Sequence, residues 1–516
     1  VLREIPMRDG ETVSDHVDLV SERAFEWKEG KASDLMQIPE SIETREADAR
    51  TEMLETLADF DDKLLEELLE DIAPSTEEIY QNLTRDFQQD SIVPVFFGSA
   101  ENDHGVVRLL KALRHEAPEA DLTAERLGLD KSAPSAQVFK TLYAGHAGKL
   151  SYVRVFAGSI KDGSDLNGQR VSGVYGLLGQ KQNKQALATA GEVVALGRLD
   201  NAETGKSLSE KGAKLADAWP APLTPLFSMA VHAENRSDEV KLSGVLTKLV
   251  EEDPSLAIEQ SQDSGELLLW GQGEMHLLIA IDRMSNRFNM TVTVARPEVP
   301  YKETIKKPIS QHARHKKQSG GHGQFGDVHL DIKPLARGSG FNFNDTITGG
   351  VVPKQYIPAV EHGINDYMKR GPLGFPVVDI AVTLTDGQFH AVDSSEMAFR
   401  AAAQLGMRTA MPNCQPVLLE PICKVDISIP NEFTSKIQRL VSGRRGHILG
   451  FDAKQGWKGW DEVSVQLPQS EMHDLIIDLR SMTLGIGTFS WSFDHLQEFV
   501  GKQADKVVAA QSGRSG

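Results

Sequence analysis

The chain has 516 residues, 40% hydrophobic and 25% charged, with a formal net charge of -19. That length predicts several domains, each able to bury its own core, and the acidic balance taken whole argues against nucleic acid as a partner. No apolar run is long enough to span a bilayer, no basic-then-apolar leader is visible, and the two cysteines, Cys414 and Cys423, point to a reducing compartment and buried thiols.

The opening VLREIPMRDGETVSDHVDLV starts on Val1 and reads as a cut inside a longer protein. Residues 1–120 read as helical with one strand. The stretch ADARTEMLETLADFDDKLLEELLEDIA has helical spacing, with Leu54, Leu57, Leu64, Leu65, Leu68 and Leu69 on one stripe. Between Glu40 and Asp90 the bases are Arg45, Arg50, Lys63 and Arg85 among many acids, a charge block. Pro74 breaks the helical pattern, and Thr76 is placed to cap the next helix. SIVPVFFGSA reads as a buried strand, GVVRLLKALRHEAP as a helix, and residues 118–136 as a polar connection. Glycine-punctuated strands then run to about Leu208, fitting a small β-barrel, and AWPAPLTP reads as a linker. From Leu226 to Ala295, and again from Ile422 to Leu496, the order is strand-helix-strand-strand-helix-strand, the split-βαβ pattern with helices on one face of a sheet.

Between these two modules lies KQSGGHGQFGDVHL, Lys317–Leu330, with more glycine than a tight hairpin needs. Its approach is basic: Lys302, Lys306, Lys307, Arg314, Lys316 and Lys317, with Glu303 the one acid. Gly320, Gly321, Gly323 and Gly326 allow positive φ and close backbone approach, and exposed N–H groups there suit phosphate. His312, His315, His322 and His329 raise a metal reading. No cysteine is nearby and no third fixed ligand is evident, so no metal site is expected. Asp393-Ser394-Ser395-Glu396 reads as a helix start, with Asp393 at the N-cap. No nucleophile–base pair stands out, so no catalytic residue is expected. The one Gly-Lys-Ser, at Gly205 to Ser207, has Asp200 where a phosphate loop needs glycine, and Asn183-Lys184-Gln185 is followed by alanine rather than aspartate.

Much of the chain resembles bacterial elongation factor G, the translational GTPase. VPVFFGSA followed by GVVRLL resembles the end of its GTPase domain, and the acidic helices before it resemble that domain's insert. VEEDPSL and GQGEMHLL resemble its third domain. QSGGHGQFGDV, GGVVPKQYIPAVEHGI and DGQFHAVDSSEMAFR resemble its fourth, and QPVLLEPI with SGRRGHILGFD its fifth.

The resemblance implies a multi-domain α/β and β protein. Residues 1–120 would be the C-terminal part of the GTPase domain with an acidic insert, 121–217 a β-barrel, and 222–297 a ferredoxin-like βαββαβ domain. Residues 298–418 would be an α/β arm, 419–500 a second ferredoxin-like domain, and 501–516 a tail. It implies that Ser99 and Ala100 are a remnant of the fifth guanine-nucleotide motif. Ser319, Gly320, Gly321, His322, Gly323, Gln324 and Phe325, with Gln388, Phe389 and His390 from a second loop, would be the arm tip that meets tRNA and mRNA. Arg444 and Arg445 would face ribosomal RNA. The implied partner is the ribosome at its decoding region, for a cytoplasmic monomer. GTP and magnesium would serve the intact factor, and none is expected on this chain. A paralogue acting in ribosome recycling or protection, or a non-hydrolysing ribosome-binding module, is the competing expectation.

Overall fold

The computed structural model describes residues 1–10, 12–28, 31–129, 133–144, 148–179, 181–210, 220–317 and 323–513. They divide into two compact units, Val1–Ala221 and Pro222–Gly516. The AWPAPLTP linker holds that division and lies partly outside the described residues.

The first unit departs most from the sequence expectation. Its opening 36 residues form a four-stranded antiparallel meander, Glu4–Asp9, Thr12–Asp18, Arg23–Glu26 and Asp34–Met36. The strands hide from a hydrophobic-pattern reading because ionisable groups occupy their buried positions. Arg3, Glu4, His16 and Asp18 are all buried. They are tolerable there because they pair. Arg3 donates to Glu116 at 2.7 Å, and Arg108 bridges Glu4, at 3.2 Å, and Asp18.

The leucine stripe is two helices, Glu40–Ala58 and Asp62–Leu69, because Asp61 caps the second by accepting the Leu64 N–H at 3.0 Å. Leu54, Leu57 and Leu64 are buried, whereas Leu65 and Leu69 are exposed. The next helix, Thr76–Gln88, is capped by Ser75, one residue earlier than expected. SIVPVFFGSA is not a buried strand. It runs extended with isolated bridges, Leu2 to Val95 and Ser99 to His104, and Val93 is exposed. Pro94 lacks the N–H a ladder would use. The polar connection also holds a helix, Ala120–Arg126, which buries Ala124.

The β part of this unit is a six-stranded sheet with two small ribbons around Val138, Val153, Val155, Ile160, Val194 and Leu196. Its hydrogen-bonded path runs from Lys181–Gln185 at one edge to Ser207–Ser209 at the other and does not close among the described residues. The expected barrel is therefore an open sheet.

In the second unit both βαββαβ modules form as read. Strands Phe227–Ala233, Ala257–Gln260, Leu267–Gly271 and Val292–Ala295 take the antiparallel order 2-3-1-4, and helices Glu239–Glu252 and Glu274–Phe288 bury Leu242, Leu246, Leu277 and Met284. Strands Pro416–Pro430, His447–Ala453, Trp460–Pro468 and Thr488–Phe499 repeat that order. The two modules share one hydrophobic core.

The arm lies between them in sequence. Its sheet orders Ile309–Lys317, Gln324–Pro334, Ile380–Gln388 and Phe341–Asp345, the last pair parallel. Helices Ile357–Met368 and Glu396–Ala410 complete its core, with Val328, Leu330, Ile332, Val360, Ile364, Val382, Leu384, Phe399 and Met407 buried. The arm is rooted where Lys302–Ile305 pairs with the start of the long strand Pro416–Pro430.

Candidate functional site at the arm tip

Alternating residues on strands Ile309–Lys317 and Gln324–Pro334 face each other in register, Lys317 opposite Gln324, Lys316 opposite Phe325, Arg314 opposite Asp327 and His312 opposite His329. Ser319, Gly320, Gly321 and His322 lie outside the described residues. The second tip segment follows strand Ile380–Gln388, whose last residues pair Gly387 with Val328 and Gln388 with Asp327.

The two segments are joined by a defined set of hydrogen bonds. The Phe325 N–H donates to the Asp393 carbonyl at 2.8 Å, and the Ser394 hydroxyl donates to the Phe325 carbonyl at 2.8 Å. The Asp393 carboxylate accepts the Gly323 N–H at 3.0 Å. Asp393 is thus not the N-cap of the following helix. Ser395 is, its side chain accepting the Ala398 N–H at 3.3 Å. The carboxylate is turned across the tip instead of down its own helix.

Gly323 and Gly326 do not use left-handed backbone freedom, and the expectation of positive φ is corrected at both. They use the missing side chain. A Cβ at Gly323 would sit 2.9 Å from the Asp393 carboxylate carbon. A Cβ at Gly326 would sit 2.5 Å from the Ala398 carbonyl oxygen, in the first turn of helix Glu396–Ala410. The close approach that glycine permits here is between parts of the protein. Gly323, Gln324 and Phe325 are accordingly half-buried and Gly326 is buried. His315 Nε2 lies 3.0 Å from the Gln324 amide oxygen.

Gln388, Phe389 and His390 are exposed. His390 Nδ1 accepts backbone N–H groups from Val392 at 3.3 Å and Asp393 at 3.1 Å, which places the ring proton on Nε2 as an outward donor. An Asp393 carboxylate oxygen lies 3.3 Å from the same Nδ1. Phe325 and His390 rings stand 6.3 Å apart. The arrangement offers donors and ring faces beside the basic residues Arg314, Lys316 and Lys317.

Elsewhere the sequence-level candidates are used inside the fold. Arg444 donates to the Glu471 carbonyl at 2.5 Å and pairs with Asp478. Arg445 makes two bonds to Glu420, at 2.9 and 3.0 Å, reaches Glu471 at 3.2 Å and stacks over Phe499. Both were expected to meet phosphate, but acidic neighbours that only the fold brings near already hold them. The Ser99 backbone is tied to His104 in both directions, and its hydroxyl accepts the Asn102 N–H at 3.4 Å, while Ala100 is exposed. Gly205-Lys206-Ser207 runs into strand Ser207–Ser209, not into a helix N-terminus.

Sequence reasoning missed one residue and gave another, the expected N-cap Asp393, the wrong role. Asp327 sits buried among His312, Arg314 and His329, and Asp393 pins the tip. Strand register is the signal that finds the first; nothing in the local sequence finds the second. Cys414 and Cys423 are free and buried, and burial pushes both thiols up, Cys423 to about 12.

Sequence profiles match the chain in consecutive stretches. Residues 133–211 match elongation factor G domain 2, 223–296 its domain III, 297–415 its domain IV and 417–507 its C-terminus. An elongation factor G-like protein of Synechocystis sp. (strain ATCC 27184 / PCC 6803 / Kazusa) is 51% identical over 508 residues, covering 98% of this chain and 76% of that protein. A crystal structure of a protein from Thermus thermophilus superposes with TM-score 0.77 at 32% identity, covering 99% of this chain and 77% of that one.

Proposed function

The chain belongs to the elongation factor G family, and on that premise we propose that it is a cytoplasmic, monomeric translation factor whose arm promotes tRNA–mRNA movement on the ribosome. The observation that carries this reading is the tip. Gly323 and Phe325 are tied to Asp393 and Ser394, so Gln388, Phe389 and His390 stand exposed on a preorganised base next to Lys316 and Lys317. Single-stranded RNA is met by such donors and rings, and phosphate by such bases.

The family's GTP and magnesium would drive the cycle. The described residues do not fit them: Ser99 is satisfied within its own turn, and Gly205-Lys206-Ser207 presents no helix N-terminus to phosphate.

The test is tRNA–mRNA movement on programmed ribosomes, measured with the chain joined to a competent GTPase portion. Replacing Gln388, Phe389 and His390 by alanine should slow movement while nucleotide hydrolysis persists. Normal movement would defeat the tip reading. Ribosome splitting without any movement by the parent would place the protein in recycling.

A further inference from the structure

We infer that the outer face of the arm hairpin carries a divalent transition-metal site built from His312, Asp327 and His329, with zinc the best-suited ion. The register assembles it. His312 is directly opposite His329 and Arg314 directly opposite Asp327, and residues two apart on a strand share a face. The two imidazole rings stack with centroids 4.2 Å apart and planes 12° apart. Candidate ligand atoms from the three residues all lie within 4.8 Å of one another. His312 Nε2 is 3.0 Å from Asp327 Oδ2, and His329 Nε2 is 4.0 Å from Asp327 Oδ1.

The second, independent observation is the carboxylate. The Asp327 side chain is only 1% exposed, and its Oδ1 is buried without a hydrogen-bond partner. A buried anionic oxygen left unpaired is costly. Its other oxygen is held by Arg314 Nε at 2.5 Å, and Arg314 also reaches Gln388. That contact orients the carboxylate as outer partners orient metal ligands and leaves Oδ1 as the unspent lone-pair donor.

Two imidazoles and a carboxylate are a borderline-soft donor set. It suits zinc, cobalt or nickel over magnesium or calcium, with the remaining position left to water. Bonds of about 2.0–2.1 Å place tetrahedral ligands roughly 3.3 Å apart. The donor atoms, within 4.8 Å of one another on strands whose register is already set, need to draw in by about an ångström to reach that spacing. His312 and His329 are 46% and 42% exposed, so an ion has an entry path. The bound ion would cross-link the two strands of the hairpin just below its tip. Sequence spacing rejected such a site for want of a third fixed ligand. The fold supplies one across the hairpin.

The test uses the full chain without a histidine tag, stripped with chelator and titrated with zinc against a chromogenic competitor. One zinc per chain and a zinc-dependent rise in melting temperature are expected. Cobalt in place of zinc should give the visible bands of a low-coordinate site. His312→Ala and His329→Ala should each abolish the cobalt bands and the melting rise, while melting in chelator stays near the parent value. Asp327→Asn would also strip Arg314 of its partner, so the exposed histidines carry the test. Absence of stoichiometric uptake by the parent would overturn the proposal. So would uptake and a melting rise that persist in the double histidine variant.

Discussion

Replacing Gly326 by alanine should loosen the arm while leaving the module after it intact. The new Cβ would lie 2.5 Å from the Ala398 carbonyl oxygen, 2.8 Å from its carbon and 3.0 Å from the Phe399 nitrogen. All three are backbone atoms in the first turn of helix Glu396–Ala410, so no flexible side chain can swing away. The helix start must retreat by close to an ångström, and it carries Phe399, Ala402 and Ala403, all fully buried in the arm core. Overpacking of this kind costs about 1–3 kcal/mol, which raises the population of the opened arm roughly 5- to 150-fold. No tryptophan lies between residues 297 and 415, so tryptophan fluorescence has no probe in the arm. The cysteines report it instead. Cys414 is buried in the arm core and Cys423 in the core of the C-terminal module. Thiol labelling under native conditions, resolved by peptide mass, should speed up at Cys414 in that range and hold at Cys423. Unchanged labelling at Cys414, or equal acceleration at both, would refute the argument that this glycine serves helix-to-hairpin packing.

Asp393→Ala removes the acceptor of the Gly323 N–H but keeps the carbonyl that accepts from Phe325. Hydrogen exchange should rise about tenfold or more at Gly323, the worth of a bond to a charged group, with Phe325 little changed; equal exchange at Gly323 would show that the carboxylate does not pin the tip. Arg445→Ala strands Glu420, whose side chain is 7% exposed. The loss should be about 2–4 kcal/mol, below that of a fully buried pair because the arginine is partly solvated; a urea midpoint equal to the parent would mean that Arg445 is free for phosphate after all. His16 is held neutral. Burial, then Arg108, pushes its pKa down to about 4 from 6.5. Between those values the unfolded chain binds the extra proton, so the contribution is complete above about pH 6.5 and is lost as pH falls through about 4, up to about 3 kcal/mol. Burial raises Glu4, which acts in the opposite sense. The readout is therefore the difference from His16→Phe, whose stability should fall less steeply over that window, and parallel pH profiles would contradict it.

Family, fold class and element order were legible in the sequence wherever one face of an element is apolar. Helix Glu274–Phe288 buries Leu277 and Met284 as its spacing requires, and both βαββαβ modules declare themselves by alternating strands and stopped helices. The opening meander was not legible, because Arg3, Glu4, His16 and Asp18 fill its buried positions; Arg3, Glu4 and Asp18 are paired by Glu116 and Arg108, about a hundred residues away in sequence, and burial keeps His16 neutral. The same limit governs the site. Composition marked residues 317–330 as unusual, but it could not say that Gly323 and Gly326 make room for Asp393 and a helix, or that Arg445 is already held by Glu420. Nor could it pair His312 and His329 around Asp327. Those facts depend on strand register and on partners far along the chain, and a hydrogen bond or a clash is set by distance in space, which residue order alone does not specify.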